Sequence, residues 1–292
     1  MTPAFAPLPD VLLEPLVRAA LIEDLGPNGD VTTRAVIPAA TGCRADLSAR
    51  EAGVVSGMQL AAIAFRLVDP SLVIALHRPD GSRCAPGDLL MQIEGAAASI
   101  LSAERVALNF AGRMSGIATL TAAFVTQTAG TATRITCTRT TTPGLRMVEK
   151  AAVLHGGGFN HRFGLSDAIL IKDNHIAAAG GIPAVLAAAR ANVSHMMKIE
   201  IEVDTLAQLA EVLAEGGADV VLLDNMDTQT LRAAVDLVAG RLVTEASGNM
   251  TLPRIAEVAA TGVDYISSGA LTHSAQTLDL GLDFLRAEDP VR

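Results

Sequence analysis

The feature that most constrains this chain is a cadence in its second half. Apolar β-like runs recur at Arg134–Thr138, Ala168–Lys172, Lys198–Val203, Asp219–Leu223, Arg241–Ala246 and Asp264–Ser267. Segments with helical spacing separate most of them: Leu145–Leu154, Pro183–Ala191, Thr205–Glu215, Thr228–Val238 and Leu252–Ala260. The last four runs start about 21 to 23 residues apart, the tight repeat of βα units. Parallel crossovers are right-handed, so this rhythm builds either a barrel or a doubly wound sheet. Polar and glycine residues decide between them. They gather directly after all six runs, at Arg139–Gly144, Lys172–His175, Glu202–Asp204, Asp224–Asp227, Ser247–Asn249 and Ser268–Thr272. A doubly wound sheet concentrates its chemistry at one switch point, whereas a barrel carries it on the loops at one end. Six polar strand ends predict an α/β fold with an incomplete, open barrel.

The first part of the chain follows another rhythm. Val11–Leu25 has helical spacing and ends at Gly26-Pro27, a helix stop. From Cys43 to Gly95, short β-like runs (Ala45–Ala49, Val54–Ser56, Leu72–Leu76, Leu89–Ile93) alternate with turn signals such as Asp80-Gly81 and Pro86-Gly87-Asp88. A helix near Leu60–Leu67 interrupts them, and a long helix is predicted from Ala97 to about Gln127. This reads as a small α+β domain ahead of the barrel. A length of 292 residues fits two such domains. Only 3% of residues are aromatic and there is no Trp. The core is therefore expected to consist of Ala, Val, Leu and Ile, which suits helices packed on buried strands.

Charge and cysteine usage narrow the function. A net charge of -9 makes general binding to nucleic acid or an anionic membrane surface a poor fit. Cys43, Cys84 and Cys137 form no C-x-x-C pair, so neither a zinc site nor a disulfide framework is expected, and a cytoplasmic location fits. No apolar run reaches the length of a membrane span, and Met1–Asp10 lacks the basic and apolar regions of a signal peptide.

Within this acidic chain, residues 134–172 form a basic island: Arg134, Arg139, Arg146, Lys150, His155, His161, Arg162 and Lys172. Arg146 and Lys150, four apart on a helix, read as solvated surface charges. Arg139 and Lys172 close or follow apolar strands, so they are expected to point into the barrel mouth. Several cations at one mouth call for a multiply anionic ligand. Ser247-Gly248-Asn249 and Ser268-Gly269-Ala270 follow the last two strands, where barrel loops often bind phosphate through backbone N–H groups. Glu202 and Asp224 end the two intervening strands. Carboxylates between cationic patches suit a ligand with hydroxyls or a divalent metal, although they could also be structural partners for the arginines. Together these positions suggest a phosphorylated sugar and an acidic co-substrate.

Several ordered motifs carry a resemblance. They are Thr138-Arg139-Thr140-Thr141-Thr142-Pro143-Gly144-Leu145-Arg146, Gly156-Gly157-Gly158-Phe159-Asn160-His161-Arg162 and Ile171-Lys172-Asp173-Asn174-His175. Glu23-Asp24-Leu25-Gly26, Gly29-Asp30-Val31-Thr32-Thr33, Ala103-Glu104-Arg105, Ser115-Gly116-Ile117-Ala118-Thr119, Glu200-Ile201-Glu202-Val203 and Gly269-Ala270-Leu271-Thr272-His273-Ser274 extend it over nearly the whole chain. With these motifs the sequence resembles the quinolinate phosphoribosyltransferase family. The resemblance implies an N-terminal α/β sandwich domain over residues 1–116, rejoined by a C-terminal tail at 275–292, and a barrel over 117–274. It implies conversion of quinolinate and phosphoribosyl pyrophosphate, with magnesium, to nicotinate mononucleotide, pyrophosphate and carbon dioxide. Lys172, Glu202 and Asp224 would be catalytic. Arg139, His161, Arg162 and Lys172 would hold the two quinolinate carboxylates, beside Thr138 and Thr140. Glu202 and Asp224 would face the ribose hydroxyls and reach magnesium only indirectly, through the pyrophosphate. Ser247, Gly248, Asn249, Ser268 and Gly269 would cradle the 5-phosphate, with His273 close by. The implied assembly is a homodimer, or a hexamer, in which Arg105 enters the neighbouring subunit's site.

One position departs from the family pattern: Thr140 stands where a Lys is usual. That leaves open a paralogue acting on another substrate, an activity-impaired variant or an inactive ligand-binding subunit. A Schiff-base aldolase using Lys172 is a further reading of a lysine at a strand end.

Overall fold

The structure is a computed structural model in which residues 7–285 are described. Residues 1–6, the start of the segment read as lacking a signal peptide, and 286–292, the end of the expected tail, lie outside them. The chain divides into two compact units. The described part of one comprises residues 7–120, 154–157 and 275–285; the other comprises 121–153 and 158–274.

The first unit contains α1 (Asp10–Leu25), α2 (Val31–Val36), β1 (Gly42–Ala49), β2 (Gly53–Val54), α3 (Met58–Val68), β3 (Val73–Leu76), β4 (Arg83–Cys84), β5 (Leu89–Ala96) and most of α4 (Ala97–Gln127). β3, β5 and β1 form an antiparallel sheet whose other edge is completed by the last described strand, residues 280–285. The sequence reading anticipated neither that strand nor α2. Short elements are started by side chains: Asp30 accepts from Thr33 N at 2.8 Å and so caps α2. α3 begins after Gly57, whose φ of 87° is left-handed. Its first amide, Met58 N, donates to Asp80 at 2.9 Å.

α4 carries glycines on the face that meets residues 276–278. Leu278 N donates to Gly112 O at 3.0 Å. A Cβ on Gly116 would stand 1.9 Å from Gln276 O, a backbone atom. Glycine at 116 therefore allows the returning chain to lie directly on the helix.

The second unit supplies the βα series: β6 (Arg134–Thr136), α5 (Arg146–His155, whose end lies in the first unit), β7 (Ile169–Ile171), α6 (Asp173–Ala179), α7 (Ile182–Asn192), β8 (Ile199–Val203), α8 (Leu206–Glu215), β9 (Val220–Asp224), α9 (Thr228–Val238), β10 (Val243–Ser247), α10 (Ile255–Ala259), β11 (Tyr265–Ser267) and α11 (Ala270–His273). The last described strand, Leu280–Leu285, is β12. β6 to β11 form one parallel sheet in the order β6-β11-β10-β9-β8-β7, leaving β6 and β7 as its two edges. This is the open α/β arrangement predicted from the cadence. The helices α8, α9 and α10 lie against β8, β10 and β11. Thr205 and Gln208 form a reciprocal cap at the start of α8, and Asp227 accepts from Thr230 N at 2.7 Å to start α9. α6 and α11 begin within stretches read from sequence as loops. Among the described residues, no helix is long and apolar enough to cross a membrane.

Replacing Gly116 with Ala forces a side-chain atom onto the Gln276 carbonyl. We expect Gly116→Ala to lose about 1–3 kcal/mol of stability, the usual cost of overpacking. Urea unfolding checks this, and an unchanged midpoint would contradict the account of the helix face.

Candidate active site

Alternation along the parallel strands builds the site. In β8, Ile199, Ile201 and Val203 are fully buried, while Glu202 faces a cavity. In β9, Val221 and Leu223 are buried and Leu222 and Asp224 line the same cavity. In β10, Thr244 and Ala246 alternate with the lining residues Glu245 and Ser247. Successive side chains of a strand point to opposite faces, so apolar residues can cover the outside while polar ones converge within. Leu170 from β7, Ser267 from β11 and Thr138 beyond β6 complete the ring, showing that the sheet curves around a common space of about 240 Å³.

The cations enter from loops at one end. Arg139, His161, Arg162 and Lys172 all line the cavity, together with Thr138 and Thr140. Lys172 is ion-paired with Glu202. Its backbone N–H donates to His175 Nδ1 at 2.9 Å, so the turn into α6 fixes the lysine's base. Asp224 is held above the usual aspartate range by burial and by the nearby Asp204 charge, against which Lys172 acts. The buried atoms Arg139 Nε, Arg162 Nε, Glu200 Oε1 and Glu245 Oε1 have no hydrogen-bond partner within the protein. Buried polar atoms are costly unless partnered, and the two guanidinium nitrogens belong to arginines that line the cavity, where they suit an anionic ligand.

At the cavity floor, His161 Nε2 lies 2.8 Å from Glu200 and 3.6 Å from Glu245. Burial disfavours the imidazolium, but the Glu200 hydrogen bond and the two carboxylate charges outweigh it and raise the His161 pKa, with Lys150 opposing. Burial and the Glu200 charge push Glu245 up to about 7, with His161 opposing. One ring nitrogen and two carboxylate oxygens of this trio lie within 4.8 Å of one another, a set that could hold a metal ion. Glu202 and Asp224 are hard oxygen donors of the kind magnesium prefers.

The last strand ends form a separate, glycine-shaped corner. Gly248 has φ 86°, and a Cβ there would stand 2.2 Å from Asn225 Oδ1. Asn225 and Asn249 both adopt left-handed backbone, and Asn249 Nδ2 donates to Asn225 Oδ1 at 3.0 Å. Arg254 ties the two loops together by donating to Gly248 O at 3.3 Å and Met226 O at 2.6 Å. Ser268 Oγ is turned away into a bond with Met250 O at 3.0 Å. A Cβ on Gly269 would lie 3.2 Å from the His273 ring and 3.3 Å from Thr138 Oγ1.

Of the residues singled out from sequence, Thr138, Arg139, Thr140, His161, Arg162, Lys172, Glu202, Asp224 and Ser247 meet at the cavity. Gly248, Asn249, Ser268 and Gly269 lie on the loops after β10 and β11 and His273 ends α11, and none of the five lines it. Arg105 is exposed on α4 in the first unit. Lys150 corrects the sequence reading. It is 3% exposed, not solvated, and donates to Cys137 Sγ and His161 O, each at 3.0 Å. Arg146 is half-buried, bonded to Thr141 Oγ1 at 3.0 Å and to the carbonyls of Phe163 and Arg139. Glu200, Glu245, Asn225 and Arg254 were missed. Parity held the signal for two of them, because Glu200 and Glu245 each lie two residues before a chosen position on the same strand face.

The floor carboxylate gives stability a definite pH dependence. Glu245 keeps its proton in the folded chain up to about 7, whereas the unfolded chain releases it near the ordinary 4.5. The folded state thus holds more protons in that window, and stability falls as pH rises through it. Raised His161 extends the fall upward. Glu245→Gln should gain on the parent between pH about 5 and about 7, by at most about 1.4 kcal/mol per pH unit. Urea unfolding at several pH values measures this, and a pH-independent offset would contradict it.

Comparison with known proteins follows the geometry. A family model described as quinolinate phosphoribosyl transferase, C-terminal domain, matches residues 117–283, and its N-terminal counterpart matches residues 30–115. A Bacillus subtilis protein named probable nicotinate-nucleotide pyrophosphorylase [carboxylating] is 42% identical, over 96% of each chain. A Nicotiana glauca protein named quinolinate phosphoribosyltransferase [decarboxylating] 1 is 45% identical, over 92% of this chain and 81% of its own. The solved nicotinate-nucleotide pyrophosphorylase from Francisella tularensis superposes with a TM-score of 0.91 at 36% identity, covering 96% of this chain and 98% of its own. On these matches, which span both units, the chain belongs to the quinolinate phosphoribosyltransferase family.

Proposed function

We propose that this chain is a quinolinate phosphoribosyltransferase of NAD biosynthesis, a pentosyltransferase making nicotinate mononucleotide. The observation that carries the reading is the meeting of Arg139, His161, Arg162 and Lys172 with Glu202 and Asp224 at one cavity. The cations suit the two carboxylates of quinolinate. As the bond from the ribose carbon to pyrophosphate breaks, positive charge develops on the ribose, and Glu202 and Asp224 stabilise it. The pyridine nitrogen then forms its bond to that carbon and becomes cationic. The adjacent carboxylate leaves as carbon dioxide, its bonding pair remains on the ring carbon beside the cationic nitrogen, and that carbon takes a proton. The protein contributes positioning and electrostatics, with no covalent nucleophile. Magnesium bound with phosphoribosyl pyrophosphate would neutralise its diphosphate, and Glu202 and Asp224, as oxygen donors, would hold it indirectly through that substrate. The glycine-shaped corner at Ser247, Gly248 and Asn249, with Gly269, suits the 5-phosphate. Incubation with quinolinate, phosphoribosyl pyrophosphate and magnesium should yield nicotinate mononucleotide and pyrophosphate. No product would contradict the reading.

Thr140 stands where the family pattern has a Lys. Its side chain is exposed at the cavity, while its backbone is pinned by Thr138 Oγ1 on Thr140 N at 3.0 Å and by Thr272 Oγ1 on Thr140 O at 2.5 Å. A longer side chain can therefore stand there without disturbing the loop. Restoring one charge-assisted bond gives Thr140→Lys about 10- to 100-fold higher kcat/KM. Equal rates would sink the idea that Thr140 weakens substrate binding.

The assembly we propose is a cytoplasmic homodimer in which Arg105, exposed on α4, completes the site of its neighbour. Arg105→Ala and Lys172→Ala chains should each be nearly inactive. Mixed dimers should recover roughly a quarter of parental sites, since half the dimers are mixed and one site of each is intact. No recovery would place Arg105 outside the neighbour's site.

A further inference from the structure

Glu245, which lines the cavity, and Glu200, which does not, have no role in the chemistry above. Glu200 and Glu245 have side chains only 9% and 6% exposed, and both converge on His161. Neither is needed for the barrel core, where an apolar pair would cost less than buried carboxylates. Each also keeps one oxygen, Oε1, without a hydrogen-bond partner. What they do make is a clamp. Glu200 Oε2 lies 2.8 Å from His161 Nε2, and Glu245 Oε1 lies 3.6 Å from the same nitrogen. From the other end, Lys150 fixes the His161 carbonyl at 3.0 Å. Both the backbone and the ring of this residue are held, on a loop that otherwise lacks regular structure. His161 also lines the cavity, and its second ring nitrogen, Nδ1, is not the one these carboxylates engage.

A neutral imidazole with its proton on Nε2 would offer the cavity an acceptor at Nδ1, which repels a carboxylate. A doubly protonated ring offers a donor. The Glu200 carboxylate, 2.8 Å from Nε2, favours the second state. We propose that Glu200 and Glu245 are positioning residues for dicarboxylate recognition, anchoring His161 through Nε2 and presenting Nδ1–H to one carboxylate of the acceptor. This rests on the reading of His161 as a carboxylate contact of a quinolinate phosphoribosyltransferase. It assigns part of the acceptor specificity to residues that do not themselves bear on the transferred group.

A double-mutant cycle on the full chain tests it. Glu200→Gln should raise KM for quinolinate about 10- to 100-fold, the scale of a charge-assisted hydrogen bond. KM for phosphoribosyl pyrophosphate should stay within about twofold. In a His161→Gln background the Glu200→Gln effect should shrink to about twofold or less, because the residue acts through the ring. An undiminished effect in that background, or equal rises in both KM values, would overturn the proposal. If His161→Gln leaves KM for quinolinate unchanged in an active enzyme, the role of His161 falls and the proposal with it. A parent chain that forms no nicotinate mononucleotide overturns the functional reading instead. Nitrogen NMR of the His161 ring in the unaltered protein covers variants that fail to fold. Protons on both nitrogens at pH about 7 support the clamp, and an unprotonated Nδ1 contradicts it.

Discussion

The inward-facing carboxylates of this barrel depend on the two-residue alternation of a β-strand. The alternation lets β8, β9 and β10 be hydrophobic toward their helices and polar within. Ile199, Ile201 and Val203 are buried outward while Glu202 faces in from the same five-residue strand. A shift of one residue would bury Ile201 in the cavity and press Glu202 into the helical layer, so the pairing of Glu202 with Leu222 and of Ser247 with Asp224 also sets the chemistry.

Within that frame the site balances charge in two tiers. At the mouth, Lys172 pairs with Glu202, and Arg139 and Arg162 retain donors without protein partners. At the floor, His161 is set against Glu200 and Glu245, with Lys150 buried behind. A cluster of like charges would repel itself in a poorly solvated space. Interleaving the signs lets cations and carboxylates coexist before any ligand arrives. It also gives each kind a role: the cations suit substrate carboxylates, and the carboxylates suit the charge that develops on the ribose.

Most of the architecture was legible in the sequence because the signals were periodic. The βα cadence marks β6 to β11, and polar strand ends mark Arg139, Lys172, Glu202 and Asp224. What escaped has physical reasons. Lys150 shares an exposed-looking i, i+4 spacing with Arg146, and only the fold shows it turned onto Cys137 and His161. β12 is formed by pairing with β1, a contact between residues more than two hundred positions apart, which no local pattern announces. α6 begins in Lys172–His175, a stretch that reads as a polar loop because His175 serves as the cap. Asn225 and Arg254 act through backbone carbonyls and left-handed turns, and residue type alone does not reveal those tasks.

The central claim is that the barrel mouth is built for two carboxylates on one aromatic ring. Titration calorimetry of the protein with quinolinate, set against nicotinate, which lacks the second carboxylate, tests it most directly. The account predicts that quinolinate binds at least about tenfold more tightly, one charge-assisted bond's worth, and that Arg139→Ala removes most of the difference. Equal affinities for the two acids, or a difference that survives loss of Arg139, would contradict it.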